Sequence, residues 1–172
     1  MDNKKRMMFV LDEDYYYVTL KILSTVFFIS GFNKKFVDYK KLSFILEFCK
    51  SDYRLRLYEK AVSDRSLNVF EHEELTTIYC NANLNDSMIQ RVLYFLEKQG
   101  IIHMSKNDRF GCIDLELVKS KDLESLFDSN ILASERSNIN IIKNNMTRIG
   151  TYKFDSFISK IYGKNEVAKW EE

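Results

Sequence analysis

Ser87-Met88-Ile89-Gln90-Arg91-Val92-Leu93-Tyr94-Phe95-Leu96-Glu97-Lys98-Gln99-Gly100-Ile101-Ile102 is the run whose reading decides the fold. Met88, Ile89, Val92, Leu93, Phe95 and Leu96 recur at helical spacing, and Gly100 ends the pattern. Ile101-Ile102-His103-Met104 then reads as a strand. Lys106-Asn107-Asp108-Arg109-Phe110-Gly111 is a polar turn, and residues 112–118 alternate as a second strand. Upstream, Glu71 to Ala82 is a short helical stretch with Leu75, Ile78 and Tyr79 inward. Asn83-Leu84-Asn85-Asp86 reads as a turn, with Asn85 or Asp86 capping the helix that follows.

Helix, turn, helix and hairpin is the order of a winged helix-turn-helix unit over residues 71–118. Around it, helices are expected at Tyr15 to Ser30, from Asp38 through Cys49, at Tyr53 to Val62, Ser120 to Asp128, Ile131 to Ile149 and Tyr152 to Tyr162. The first is apolar nearly all round, which suits the centre of a fold or a partner subunit. Asp12-Glu13-Asp14 stands ahead of its expected start, Gly31 after its end, and Asp38 is placed to cap the second helix. Phe32 to Phe36 reads as a polar connector with two aromatic anchors. The expected fold is mainly α with a small β-hairpin, a helical domain containing a winged-helix-like unit. It divides into an N-terminal helical region (1–70), the winged-helix-like unit (71–118) and a C-terminal helical region (119–172), packed as one compact domain.

Composition agrees with a helical, globular chain. In 172 residues there is no proline and there are only 5 glycines, too few breakers for an all-β sandwich. Lys plus Arg is 26 and Asp plus Glu is 25, which argues against a strongly basic nucleic-acid coat protein. Cys49, Cys80 and Cys112 are odd in number and widely spaced, which points to a reducing cytoplasm and not to a disulfide framework. The opening residues lack the pattern of a secretory leader. Tyr15 to Phe32 contains Lys21, Thr19, Ser24 and Thr25 and reads as a buried helix, not a membrane span.

The chemistry-bearing residues do not assemble into a reactive motif. Glu71-His72-Glu73-Glu74 matches a zinc-protease motif only in residue type, because the second histidine four residues along is missing. Cys80 lies eight residues after His72, but two ligands do not make a zinc site. His103 reads as a half-buried strand residue. Neither a glycine-rich phosphate loop nor a dinucleotide fingerprint occurs. The reading therefore assigns no catalytic residue, no metal ligand and no cofactor, and expects no enzyme.

For nucleic acid, the outward residues of the second helix include Gln90, Arg91 and Lys98, chemically able to meet base edges. Lys106 and Arg109 at the wing tip are suited to phosphates. Asp86, Glu97 and Asp108 are interleaved with them and weaken phosphate neutralisation. A basic stripe from Lys34-Lys35 through Lys40-Lys41 to Lys50, Arg54 and Arg56 reads as a solvated face, with phosphate tracking the sharper alternative. For a protein partner, Tyr15, Tyr16, Phe32, Phe36 and Tyr39 form the expected anchoring set. The segment from Tyr15 to Phe36 carries more large apolar surface than a small domain easily hides. On that expectation, Phe32→Ala with Phe36→Ala leaves the isolated chain folded.

The stretch Thr19-Leu20-Lys21-Ile22-Leu23, with Ser30-Gly31-Phe32-Asn33-Lys34-Lys35-Phe36-Val37-Asp38-Tyr39-Lys40-Lys41-Leu42 and the winged-helix-like segment after it, resembles the small middle components of bacterial ABC three-component systems. These include the small subunit of Lamassu-type antiphage defence. The resemblance follows element order over most of the chain and has no catalytic signature. It implies a non-catalytic adaptor that couples an SMC-like ATPase to an effector subunit such as a nuclease, with DNA met through the complex. The other reading is a winged-helix DNA-binding transcriptional regulator.

Overall fold

No glycine or proline interrupts the chain before Gly31, and Asn3–Ser30 forms a single helix, α1. The computed structural model describes residues 3–63 and 65–163. Asp12-Glu13-Asp14 therefore lies inside α1 and not ahead of it. Gly31 ends the helix at φ +82°, its N–H donating to the Phe27 carbonyl at 2.7 Å, a backbone shape that glycine adopts without strain. Ile22, Leu23, Val26 and Ile29 of α1 are buried, together with Ser24 and Thr25. The Ser24 hydroxyl donates to the Leu20 carbonyl at 2.8 Å, which satisfies it without water.

The connector contains a short strand, β1 (Lys35–Phe36), that the sequence does not announce. α2 (Lys41–Phe48) follows and is buried at every position but Leu46, so it runs through the middle of the core. Asp38 does not cap it by the usual side-chain bond to the second or third helical N–H. It sits at φ +60°, buried, and its carboxylate accepts from the Phe154 N–H at 2.8 Å. Ser51 caps α3 (Asp52–Val62), accepting from the Arg54 N–H.

The main departure from the expected fold is α4 (Val69–Lys98), one unbroken helix of 30 residues. The turn expected at 83–86 is helical, so the helix-turn-helix step drawn within 71–98 is replaced by a continuous rod. The reason is visible in the spacing. Glu71, Leu75, Ile78, Ala82, Asn85, Ile89, Val92 and Leu96 step by four and three residues alternately, keeping one seam against the core. Asn85 occupies a seam position, and its amide donates to the buried Glu47 carboxylate at 2.9 Å. Asp86 accepts from Gln90 one turn on, at 2.7 Å. The polar residues are thus satisfied in the helix, and no glycine or proline forces a break. A capping box starts α4: the Asn68 side chain accepts from the Glu71 N–H, and the Glu71 carboxylate from the Asn68 N–H. At its end Ile101 N–H bonds the Leu96 carbonyl and Gly100 N–H that of Glu97, with Gly100 at φ +68°, a Schellman closure.

The expected hairpin forms as β2 (Ile102–Asn107) and β3 (Cys112–Leu117). β1 adds to the free edge of β3, Lys35 opposite Glu116 and Phe36 opposite Leu115, giving an antiparallel sheet in the order β1-β3-β2. Beyond the sheet lie α5 (Lys121–Asp128), a 3₁₀ turn (Asn130–Leu132), α6 (Ala133–Asn145) and α7 (Phe154–Tyr162). The helix expected from Ile131 to Ile149 is thus shorter at both ends. α6 packs on α1 and α3, and β1 pairs with β3, so the N-terminal, central and C-terminal regions share one core. The class is mainly α with a small antiparallel sheet.

Candidate functional site

Two aromatic groups lie along α1 and differ in cover. Towards its C-terminal end, Phe27 stacks on Phe127 of α5, ring centroids 4.1 Å apart and planes 8° from parallel. Phe28 and Phe32 close around the pair. Burying rings of this size stabilises by about 2–3 kcal/mol each. About three turns earlier in the helix, nothing comparable covers Tyr16 and Tyr17, which are 74% and 54% exposed. Tyr15 is half-buried, its ring edge on Phe95 of α4 at 6.2 Å. Phe95 itself is 46% exposed, and Tyr94 beside it is exposed too.

Next to this edge is a cleft of about 210 Å³ between α1, α2 and α4. Tyr17, Val18, Leu46, Met88 and Ile89 supply its apolar lining, and Lys21 lies over the Tyr17 ring at 4.5 Å. The polar part is Glu47, buried to 1%, which accepts from Lys50, from Asn85 and from the Arg54 guanidinium at 2.6 Å. Arg54 also bonds Glu74 at 2.7 Å. A buried carboxylate with this many donors is paired in place and has no need of a ligand. An aromatic rim beside an apolar cleft on a charge-balanced floor is the chemistry that receives an aromatic or aliphatic anchor of another chain.

The expected partner set is only partly brought together. Tyr15 and Tyr16 lie at the exposed edge. Phe36 is fully buried and Tyr39 is 8% exposed, so neither is a surface anchor. β1 turns Phe36 inward beside Leu115, and the Tyr39 hydroxyl accepts from Gln90 at 2.9 Å. Burial first, then the Asp86 carboxylate, holds the Tyr39 phenol above its ordinary range. Phe32 is half-buried and belongs to the Phe127 cluster. Phe32→Ala with Phe36→Ala is therefore a core lesion and not a test of an interface. Tyr17, within the expected aromatic segment, is exposed as well, and Phe95, which the helical pattern counts with the apolar positions, lies at the surface. The four-three seam of α4 passes through Val92 and Leu96 and skips 95, which is the signal that turns Phe95 outward.

The expected nucleic-acid residues spread over two places. Arg91 and Lys98 are exposed on α4, and Lys106 and Arg109 on the hairpin. The Gln90 amide is occupied by Tyr39 and Asp86, so it is not presented for base reading. The basic stripe from 34 to 56 does not exist as one face. Lys41 is fully buried, Lys50 pairs with Glu47, and Arg54 bridges two glutamates.

Lys41 is the hub of a buried polar cluster. Its Nζ donates to the carbonyls of Ile149 and Tyr152 and lies 4.7 Å from the centre of the Phe36 ring. Burial lowers its pKa to about 7, against the opposing pull of Asp38, Cys112 and Asp114. Asp114, 1% exposed, accepts from the Asp38 N–H at 3.2 Å and from Asn107 at 2.8 Å. These bonds tie α2, the sheet and the segment before α7 together, which is a structural task. Burial also pushes the Cys49 thiol up to about 12 and raises that of Cys112, the reverse of an activated nucleophile. Among the described residues no group of three or more His, Cys, Asp or Glu is placed to hold a metal ion, and no helix is long and apolar enough to cross a membrane. No family model matches the chain, and no curated protein and no solved structure matches it either.

Proposed function

We propose that this chain is a non-catalytic adaptor, whose working surface is the edge formed by Tyr16, Tyr17 and Phe95 with the adjoining cleft. The observation that carries the reading is the exposure of those three large rings, with Tyr17 lining an apolar cavity, while Phe27 and Phe28 on the same helix pack against Phe127. The kind of partner rests on the sequence resemblance. It makes the occupant an SMC-like ATPase of an antiphage defence complex in the cytoplasm, with an effector such as a nuclease and with DNA engaged by the assembly.

Affinity purification from the native cell, followed by mass spectrometry of co-purifying chains, tests this. The reading expects an SMC-like ATPase and an effector subunit at fixed ratio. Recovery of the chain free of both overturns it. The second reading, a DNA-binding transcriptional regulator, is favoured by the exposure of Arg91 and Lys98 on α4 and of Lys106 and Arg109 on the hairpin. It expects one tight, sequence-specific duplex site that is lost with Arg91→Ala.

A further inference from the structure

Lys34 and Lys35 stand just after α1, and Lys143 and Arg148 come from α6 and the loop behind it, more than a hundred residues later. The fold brings all four to the wall of one open groove of about 400 Å³, with no carboxylate in its lining. The chain as a whole carries a net charge of only +1, so this is a local concentration of charge and not a general one. Among the described residues, Lys34, Lys143 and Arg148 have no ion pair; Lys143 donates to the Phe28 carbonyl at 3.1 Å. Lys35 is partly neutralised: its Nζ lies 3.9 Å from Asp114, and Glu116 is its cross-strand neighbour.

The groove is also built. Val37 N–H holds the Gly150 carbonyl at 2.8 Å, and Lys41 holds those of Ile149 and Tyr152, so the loop carrying Arg148 is fixed. Gly150 passes so close to α1 that a Cβ there would stand 3.1 Å from Ile29. Beside that contact the Ser30 hydroxyl is buried and has no hydrogen-bond partner among the described residues. Thr147 adds a second hydroxyl to the lining. Cationic side chains on a held backbone and a spare hydroxyl around a concavity are the donors that a phosphate takes.

We propose that this groove binds the phosphodiester backbone of nucleic acid, without reading sequence. No aromatic side chain lines it, so nothing there stacks a base, and its volume exceeds what a lone phosphate fills. None of Gln90, Arg91, Lys98, Lys106 and Arg109 belongs to it. The inference does not rest on the adaptor reading, because it concerns the purified chain alone.

The test is fluorescence anisotropy of the purified full chain with a labelled duplex of arbitrary sequence, titrated across a salt series. Three phosphate contacts predict a log–log salt slope of about −2.7 for the unaltered chain. Lys34→Gln with Arg148→Gln, both exposed, brings the slope down by about two and weakens binding by roughly tenfold or more at low salt. Thr147→Glu, which places a carboxylate in the groove, weakens it as well and serves if the double variant melts early. Lys106→Gln with Arg109→Gln leaves the slope within one unit. Absence of duplex binding by the unaltered chain overturns the proposal. So does loss of binding in the hairpin variant alone, or binding to anionic phosphatidylserine vesicles or inorganic polyphosphate in place of the duplex.

Discussion

The two ends of the described aromatic run on α1 make an instructive pair. Phe27 and Phe28 meet α5 and are partly buried against Phe127, whereas Tyr16 and Tyr17, three turns earlier on the same helix, stay in solvent. Composition is similar at the two ends. What differs is whether a later element returns to cover them. α5 is brought to the C-terminal end by β3, which ends only four residues before α5 begins. At the other end the nearest element is α4, and it offers Phe95 at its edge without closing over the tyrosines. Aromatic content alone therefore does not locate an interface; the uncovered remainder does.

The comparison breaks most visibly at Phe127. Phe127→Ala removes the stacked ring from the covered end and is expected to cost about 3–5 kcal/mol, read as a fall in the denaturant midpoint. A loss under about 1 kcal/mol means that the covered cluster is not core.

Lys41 extends the comparison from covered rings to a covered cation. Lys41→Met leaves two interior carbonyls without their donor and is expected to cost on the order of 2–4 kcal/mol. The same residue sets a pH dependence. Its folded pKa is about 7 against 10.5 unfolded, so between these values the unfolded chain holds the extra proton. Stability therefore rises with pH from about 7 towards 10, by up to about 1.4 kcal/mol per unit, and below 7 this residue adds no slope. Denaturation series at pH 7, 8 and 9.5 check it, and Lys41→Met is expected to lack the rise.

A smaller effect is expected at the C-terminal end of α4, where Phe95 is displayed. Gly100→Ala forces a Cβ onto φ +68° with open space around it, so only the backbone term of about 1–2 kcal/mol is lost. A thermal melt measures this.

How far the sequence could be read follows the same division. The hairpin, the helix stops at Gly31 and Gly100, and the buried face of α4 are local signals, and each is legible in spacing. Residues 83–86 read as a turn because Asn83, Asn85 and Asp86 are turn-formers by type, yet Glu47 and Gln90 satisfy two of them in the helix. β1 is two residues long and exists through pairing with β3, some eighty residues away, so no local pattern announces it. Phe36 and Tyr39 look like anchors in a polar connector, but β1 takes Phe36 inward, and bonds to the Ile113 carbonyl and to Gln90 hold Tyr39. Of the site, Tyr15 and Tyr16 were legible. The groove of Lys34, Lys143 and Arg148 was not, because it joins residues over a hundred positions apart.

The smallest expected effect on the fold carries the largest expected effect on function. Tyr16→Ala with Phe95→Ala removes two exposed rings from the uncovered end and is expected to change stability by no more than about 0.5 kcal/mol per site. The decisive measurement is quantitative co-purification of the proposed partner, an SMC-like ATPase, with this double variant, beside its thermal melt. An unchanged melt with ATPase recovery lost by about tenfold or more is the predicted result, since hot-spot rings contribute over 1 kcal/mol each. Full recovery of the ATPase with the double variant would contradict the account and place the working surface elsewhere on the molecule.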